Sequence, residues 1–185
     1  MINKEIYLNE RLSIGKTITE EEQNRIKAES NNKTAFLKAI DYISRKKCCK
    51  KMLSDYLKKK DFDNKAIDYA IQKLSDYRYI DDEDYARCYI EYYGNGKGRQ
   101  KLAYELKNKG IDPDIIEKYN KDDQKELKDC IILSEKFMKN KDISDIKTKQ
   151  KLIRHLLYKG FNYNIIQNAL AKFNINEEEL WNTLY

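Results

Sequence analysis

The chain has 185 residues, of which 41% are hydrophobic and 37% charged, with one proline and a net charge of +6. No apolar run approaches the roughly 20 residues that span a bilayer, and no charged-then-apolar signal peptide opens the chain. These features exclude a membrane protein and a membrane partner, and we expect a cytoplasmic, helical protein.

The first predicted element is a short helix in an N-terminal segment, residues 1–33. Thr19 and Glu22 have the spacing of a capping box, which predicts a helix that begins after Thr19 and runs toward Glu29. The apolar residues ahead of it, between Ile6 and Ile14, could form a short strand or an arm, and the sequence leaves both alternatives open.

The rest of the chain repeats one helix-loop-helix unit three times, because its best-matched segments, 52–71, 101–120 and 151–170, recur after 49 and then 50 residues. In each unit a leucine pair on one helix face precedes a four-residue phrase: a lysine, a helix-stop residue, a large apolar residue and a capping acid or amide. The phrases are Lys60-Asp61-Phe62-Asp63, Lys109-Gly110-Ile111-Asp112 and Lys159-Gly160-Phe161-Asn162. They predict helix breaks at the second residue and helix N-caps at the fourth. The last helix of the second unit is expected to be the shortest.

A further helix precedes each unit, with apolar residues at i, i+3, i+4 and i+7. The expected faces are Phe36, Ala39, Ile40 and Ile43; Tyr85, Cys88, Tyr89 and Tyr92; and Cys130, Leu133 and Phe137. Asn32 and Asp81 are the predicted caps of the first two, and the polar segment 139–149 is predicted to be a longer loop. The predicted fold is therefore all-α: an elongated, curved tandem array of three-helix modules, residues 34–80, 81–123 and 124–176, followed by a C-terminal tail, 177–185.

Cysteine, histidine and acid patterns argue against an enzyme, a metal site or a cofactor. The four cysteines lack Cys-x-x-Cys spacing and the chain has one histidine. Cys88 and Cys130 fall on apolar faces and are expected to be small buried hydrophobes, whereas a reactive thiol is the alternative for Cys48 and Cys49, which lie in a basic stretch. The acids at 81–84 are expected to cap a helix rather than bind a metal.

Basic residues gather at the same place in each repeat. Residues 34–80 carry twelve Lys/Arg against six Asp/Glu, and residues 121–160 carry eleven against seven. The three clusters are Arg45, Lys46, Lys47, Lys50 and Lys51; Lys97, Arg99 and Lys101; and Lys147, Lys149, Lys151 and Arg154. Because they follow the repeat, we expect them to line one side of the array and to bind a polyanion. The alternative for any single lysine is a solvated helix face.

The middle cluster contains a glycine-rich loop, Gly94-Asn95-Gly96-Lys97-Gly98-Arg99. One interpretation is a loop whose backbone and two cations approach phosphates; the other is a flexible connection between helices. Lys97 and Arg99 are the leading single candidates for binding, and neither is expected to be needed for folding. Tyr93, beside the loop and off the apolar stripe, is a candidate for stacking on bases.

One phrase resembles the signature of a known family. Tyr79-Ile80-Asp81-Asp82-Glu83-Asp84-Tyr85-Ala86-Arg87 resembles the hydrophobic-Asp-Asp-x-x-aromatic-Ala-Arg phrase of the RecX family, bacterial regulators of the RecA recombinase. The segments Glu105–Ile111 and Leu156–Phe161 resemble its repeated leucine-x-x-lysine/arginine-glycine-apolar phrase. The sequence departs from the family at Asp61, where glycine is usual, and in its short N-terminal region.

The resemblance implies an array of three-helix modules that binds along the RecA–DNA filament groove and inhibits ATPase, strand-exchange and coprotease activities, with roles in recombination, DNA repair and the SOS response. It adds Arg87 to the candidate residues and single- or double-stranded DNA as a weaker, salt-dependent partner. We expect a monomer that acts through binding geometry and needs no cofactor. The alternative is a DNA-binding helical-repeat protein that acts without RecA, such as a transcriptional regulator.

Overall fold

A computed structural model describes residues 17–139, 141–143 and 145–175, and within these ranges the secondary structure is nine helices and no strand. The helices are α1 (Glu20–Arg45), α2 (Lys50–Lys58), α3 (Asn64–Asp76), α4 (Asp82–Tyr93), α5 (Arg99–Asn108), α6 (Pro113–Tyr119), α7 (Asp123–Met138), α8 (Ile146–Tyr158) and α9 (Tyr163–Ala171). The strand or arm considered before Thr19 and the tail at 177–185 lie outside the described residues.

Side-chain caps open the helices where the sequence predicts them. The Glu22 N–H donates to Thr19 Oγ1 at 3.2 Å and the Thr19 N–H donates to the Glu22 carboxylate at 2.9 Å, which completes the capping box. Asp63, Asp112 and Asn162 likewise accept from N–H groups in the first turns of α3, α6 and α9. These cap predictions are confirmed.

The predicted helix breaks are also confirmed. Asp61, Gly110 and Gly160 have φ values of 61°, 80° and 84°, the left-handed conformation that ends a helix. The apolar residue that follows folds back over the helix end, and Ile111 and Phe161 are buried there. As predicted, α6 is the shortest helix of the three, with seven residues against nine in α9 and thirteen in α3.

The prediction of a separate short helix before Asn32 is wrong. Helix α1 continues through Asn32 to Arg45, because this stretch contains no glycine or proline and Ile26 and Ser30 continue its buried face. The Asn31 amide donates to Asp63 Oδ2 at 2.6 Å and so joins the N-terminal half of α1 to the start of α3.

Two helices, α1 and α4, bury a face that is rotated from the one predicted. Ile40 and Tyr92 are 39% and 78% exposed, whereas Ala39 and Ala86 are fully buried. Alanine allows close helix approach, so the contact line follows the small side chains rather than the large ones. The predicted loop at 139–149 is also too long, because Asp145 caps α8 and places Lys147 and Lys149 in its first turn.

By packing, the chain divides into two compact units, one up to Tyr85 and the other from Ala86 onward. The core of the first unit includes Leu53, Leu57, Ile67, Leu74 and Ile80. A core cluster of the second unit includes Leu152, Leu156, Phe161, Ile166 and Leu170. Within the part of the chain described, no helix has the length and apolarity to cross a bilayer.

Candidate functional site

The first basic cluster lies where α1 gives way to α2. Arg45 pairs with Asp41 one turn earlier at 2.7 Å, and the Lys46 ammonium lies 4.7 Å from the centroid of the Tyr42 ring. Lys47 forms an ion pair with Asp84 of α4. Lys50 and Lys51 are exposed at the start of α2. Part of this cluster is therefore neutralised within the chain.

The acids at the start of α4 have structural roles. Asp81 accepts from the N–H groups of Glu83 and Asp84 at 2.8 and 3.1 Å, which confirms it as a cap. Asp82 accepts the N–H of Lys50 at 2.9 Å, although the N-cap residue of α2, Cys49, makes no side-chain cap hydrogen bond. An acid of α4 thus caps helix α2.

The reactive-thiol alternative is wrong for the adjacent cysteine pair. Cys48 and Cys49 are 5% and 0% exposed. The pKa of Cys48 is raised to about 11, mainly by burial and to a smaller extent by the neighbouring Cys49. Lys46 acts in the opposite direction but does not cancel this rise. Burial also raises the pKa of Cys130 to about 12. Cys88 is half-buried.

The backbone of the glycine-rich loop packs against later parts of the chain. Four backbone N–H groups between Gly96 and Gln100 bond to later parts of the chain: Gly96 to the Asp129 carboxylate, Gly98 to the Lys159 carbonyl at 2.9 Å, Arg99 to Glu126 Oε1 at 2.8 Å and Gln100 to the Gly160 carbonyl at 3.2 Å. The backbone donors that the sequence offers to phosphates are therefore used inside the second unit.

Two glycines allow this contact. A Cβ atom built on Gly98 would lie 2.1 Å from the carbonyl carbon of Gly160, and one built on Gly160 would lie 2.4 Å from Lys101 Cβ. No other residue fits at either position without moving the backbone. The three closely spaced glycines were the sequence signal of a close approach, but the surface approached is the chain's own α8–α9 turn.

Lys97 and Arg99, the leading candidates from the sequence, are both ion-paired inside the second unit. Lys97 Nζ lies 2.7 Å from Glu105 Oε2. Arg99 lies 2.6 Å from Glu126 and 2.7 Å from Asp123, and the Glu126 side chain is only 3% exposed. Arg99 therefore neutralises a buried carboxylate, which argues against the expectation that it is dispensable for folding.

The pKa of Glu105 depends on burial and on two hydrogen-bond partners, Lys97 and Tyr89. Burial acts to raise the pKa of Glu105, but the hydrogen bonds from Lys97 and from the Tyr89 hydroxyl outweigh it and hold the pKa below its ordinary value. Tyr93 stacks obliquely on Tyr89 with ring centroids 4.8 Å apart, and 59% of Tyr93 is exposed. Arg87 is exposed on α4. The binding roles of Tyr93 and Arg87 stay predictions.

An exposed cationic surface lies on α8. Lys147, Lys151, Arg154 and Tyr158 follow one another at i, i+4, i+7 and i+11, so they share one helix face, and all four are exposed. Lys101 of α5 joins them, with its ammonium 4.3 Å from the centroid of the Tyr158 ring. We call these five residues the α8 stripe.

The α8 stripe differs from the other clusters because, among the described residues, none of its four cations makes an ion pair. Lys149, on the neighbouring face of α8, is half-buried. Sequence reasoning missed Tyr158, although continuing the helical spacing from Lys147 for two more turns would have found it. In the described ranges no three His, Cys, Asp or Glu side chains come together as metal ligands.

Comparison with known proteins identifies the three repeats individually. Residues 35–74 match the first three-helix domain of RecX, residues 81–119 the second and residues 130–170 the third. The chain belongs to the RecX family. The resemblance noted in the sequence is thereby confirmed, and so is the all-α, three-module fold.

Relatives and solved structures agree with the domain matches. Regulatory protein RecX of Bacillus licheniformis is 33% identical over 89% of this chain and 65% of its own length. Regulatory protein RecX of Clostridium botulinum is 35% identical over 76% of this chain and 71% of its own. The chain thus spans about two thirds of these RecX proteins. A crystal structure of regulatory protein RecX superposes with a TM-score of 0.75 at 21% identity, covering 90% of this chain and 84% of that one. A crystal structure of RecX from Lactobacillus salivarius superposes with a TM-score of 0.71 at 26% identity, covering 78% of this chain and 97% of that one.

Proposed function

We propose that this protein inhibits the RecA recombinase by binding along the groove of the RecA–DNA filament, and that it thereby lowers ATPase, strand-exchange and coprotease activities. The observation that carries the proposal is the match of all three RecX three-helix domains, in order, across residues 35–170. Its relatives bear the name regulatory protein RecX. The protein acts as a cytoplasmic monomer without a cofactor.

The ion pairs within each basic cluster support a ranking of the proposed contacts to DNA. A cation that is already paired with a carboxylate gains little by meeting a phosphate, because the first partner must be given up. We therefore propose that the α8 stripe provides the strongest contacts to the DNA phosphates, and that Lys50, whose backbone N–H is held by Asp82, adds a weaker one. The partly neutralised or half-buried candidates contribute less directly; these are Arg45, Lys46, Lys47, Lys97, Arg99 and Lys149.

Lys51, Arg87 and Tyr93 are further proposed contacts to the filament. Successive modules would each touch the filament, so that several weak contacts combine into one tight interaction. Single- or double-stranded DNA is the weaker partner, because phosphate contacts alone are screened by salt.

The test is the DNA-dependent ATPase of RecA from the same organism, measured with increasing amounts of this protein. Inhibition at fewer than one molecule per RecA protomer is expected, since a filament-bound regulator acts on several protomers. Unchanged ATPase at equimolar protein would contradict the proposal. If the same preparation still binds DNA, the alternative of a RecA-independent DNA-binding protein takes its place.

A further inference from the structure

Among the helices that the structure describes, five end in the same backbone turn. At each end one residue has a positive φ and donates its N–H to the carbonyl three residues earlier, and the next residue donates to the carbonyl five residues earlier. The residues with positive φ are Asp61, Arg78, Gly110, Gly160 and Asn174.

Four of the five turns follow two rules. The left-handed position holds glycine, aspartate or asparagine, the residues that adopt this conformation most readily. The next residue is apolar and packs onto the core: Ile111, Phe161 and Ile175 are 2%, 0% and 6% exposed, and Phe62 is half-buried.

The turn that ends α3 breaks both rules. Arg78 occupies the left-handed position with φ 56°, which strains an ordinary side chain. Tyr79 follows and is 69% exposed, and Ile80, one residue later, takes the core position at 3% exposed. For folding stability alone, a glycine followed by a buried apolar residue would be favoured at these positions, as at the other helix ends. Arg78 and Tyr79 are therefore not the residues that stability alone would favour.

The same turn displays three side chains typical of protein interfaces. Tyr77 is 58% exposed, and its ring centroid lies 6.2 Å from that of Tyr79. Arg78 is exposed between them, and its guanidinium makes no ion pair with any residue in the described ranges. Tyrosine and arginine dominate binding hot spots because each combines apolar area with a polar end. Backbone strain that folding does not require is typical of such sites.

Charge around the turn disfavours DNA as its partner. Residues 76–84 carry five carboxylates and one guanidinium. Lys47 forms an ion pair with one of the five, Asp84. A phosphate backbone would be repelled here, whereas a protein surface with an apolar slot and an acidic group would fit two tyrosines and an arginine.

We propose that Tyr77, Arg78 and Tyr79 form a protein-recognition turn that contacts the recombinase protein of the filament and not its DNA. This inference rests on the proposed function and assigns part of the binding to a surface outside the basic clusters. The strained backbone is kept because it holds both rings and the guanidinium in the exposed arrangement that the partner recognises.

The test compares Arg78→Gly with Asp61→Gly, since both replace an exposed left-handed residue with glycine in the same kind of turn. Both are expected to raise the melting temperature by a few degrees, because glycine relieves the strain. Only Arg78→Gly is expected to weaken binding to RecA filaments, at least tenfold. A Tyr77→Ala/Tyr79→Ala variant is expected to lose at least as much with an unchanged melting temperature. Affinity for a fluorescent single-stranded oligonucleotide without RecA is expected to stay the same in all three.

The possible outcomes separate this inference from the proposed function. If the unaltered protein neither binds nor inhibits the filament, the proposed function fails and the inference falls with it. If the unaltered protein inhibits and the tyrosine variant inhibits equally well, the function stands and the recognition turn is wrong. A parallel loss of oligonucleotide affinity would also overturn the inference, since the turn would then be a nucleic-acid contact.

Discussion

Arg99 shows how one side chain can serve the fold while sitting in a cluster that looks like a binding site. Its guanidinium bonds to Glu126 and Asp123, and its backbone N–H bonds to Glu126 as well. The Asn120 amide donates to the Arg99 carbonyl at 2.8 Å. Arg99 thus joins the start of α5 to the end of α6 and the start of α7.

Replacing Arg99 with alanine is expected to destabilise the protein. The change leaves the buried Glu126 carboxylate with one backbone donor in place of a charged partner, at a cost of about 2–3 kcal/mol after allowance for partial solvent exposure. Urea denaturation measures the loss. Lys151→Ala removes an exposed cation that makes no ion pair in the described ranges, and it is the matched control, expected to stay within about 0.5 kcal/mol of the unaltered protein. Equal effects of the two changes would contradict the role assigned to Arg99.

At the scale of the helix, caps are shared between successive modules. The N-cap residues of α2 and α5, Cys49 and Gly98, make no side-chain cap hydrogen bond. The first N–H of each helix instead bonds to an acid of the following module, Asp82 for α2 and Glu126 for α5. Helix α8 carries its own cap, Asp145. Each of the first two modules therefore depends on the next one for a complete helix start.

The contact between Gly98 and Gly160 predicts an unequal response to alanine within one loop. Gly98→Ala forces a methyl group against the Gly160 backbone and breaks the hydrogen bonds around it, so a loss of at least about 2 kcal/mol is expected. Gly96→Ala is the control: its φ is 71° but nothing lies within 4 Å of the added Cβ. It is expected to lose only the backbone strain, about 1 kcal/mol. Thermal unfolding of both variants measures the difference, and a larger loss at Gly96 would contradict the close-contact argument.

Local signals in the sequence were sufficient for most of the fold. Caps such as Asp63 and stops such as Gly160 act within a few residues, so their spacing alone predicts helix ends. The predicted helix start at Asn32 was wrong because a residue that can cap a helix also fits inside a helix whose buried face continues past it. The partners of Arg99 and Gly98 could not be predicted, since Glu126 and Gly160 lie 27 and 62 residues further along the chain. The leading candidates changed from Lys97 and Arg99 to the α8 stripe for the same reason. The sequence shows how many cations a cluster has, but not which of them form ion pairs in the fold.

For the whole molecule, the net charge of +6 is a weak guide to the binding surface. Basic clusters recur with the repeat, but three of their cations are ion-paired within the chain. Lys47 pairs with Asp84, Lys97 with Glu105 and Arg99 with Glu126. Counterion release from DNA depends on the cations that reach phosphates. Local pairing rather than total charge should therefore decide which cluster binds.

Two charge-reversed variants test this distinction at equal net charge. Lys151→Glu/Arg154→Glu changes the α8 stripe, whereas Lys139→Glu/Lys141→Glu changes the segment between α7 and α8 by the same total charge. We expect the stripe variant to lower DNA affinity at least tenfold and to reduce the slope of log affinity against log salt by about 1.5, since about 0.7–0.9 counterions are released per phosphate contact. The loop variant should keep the slope, because any effect it has on affinity comes only through the general field of the protein. Fluorescence anisotropy over a range of salt concentrations gives both quantities, with thermal unfolding as the check that both variants fold. Equal slopes for the two variants would mean that net charge alone drives binding and would remove the special role of the α8 stripe.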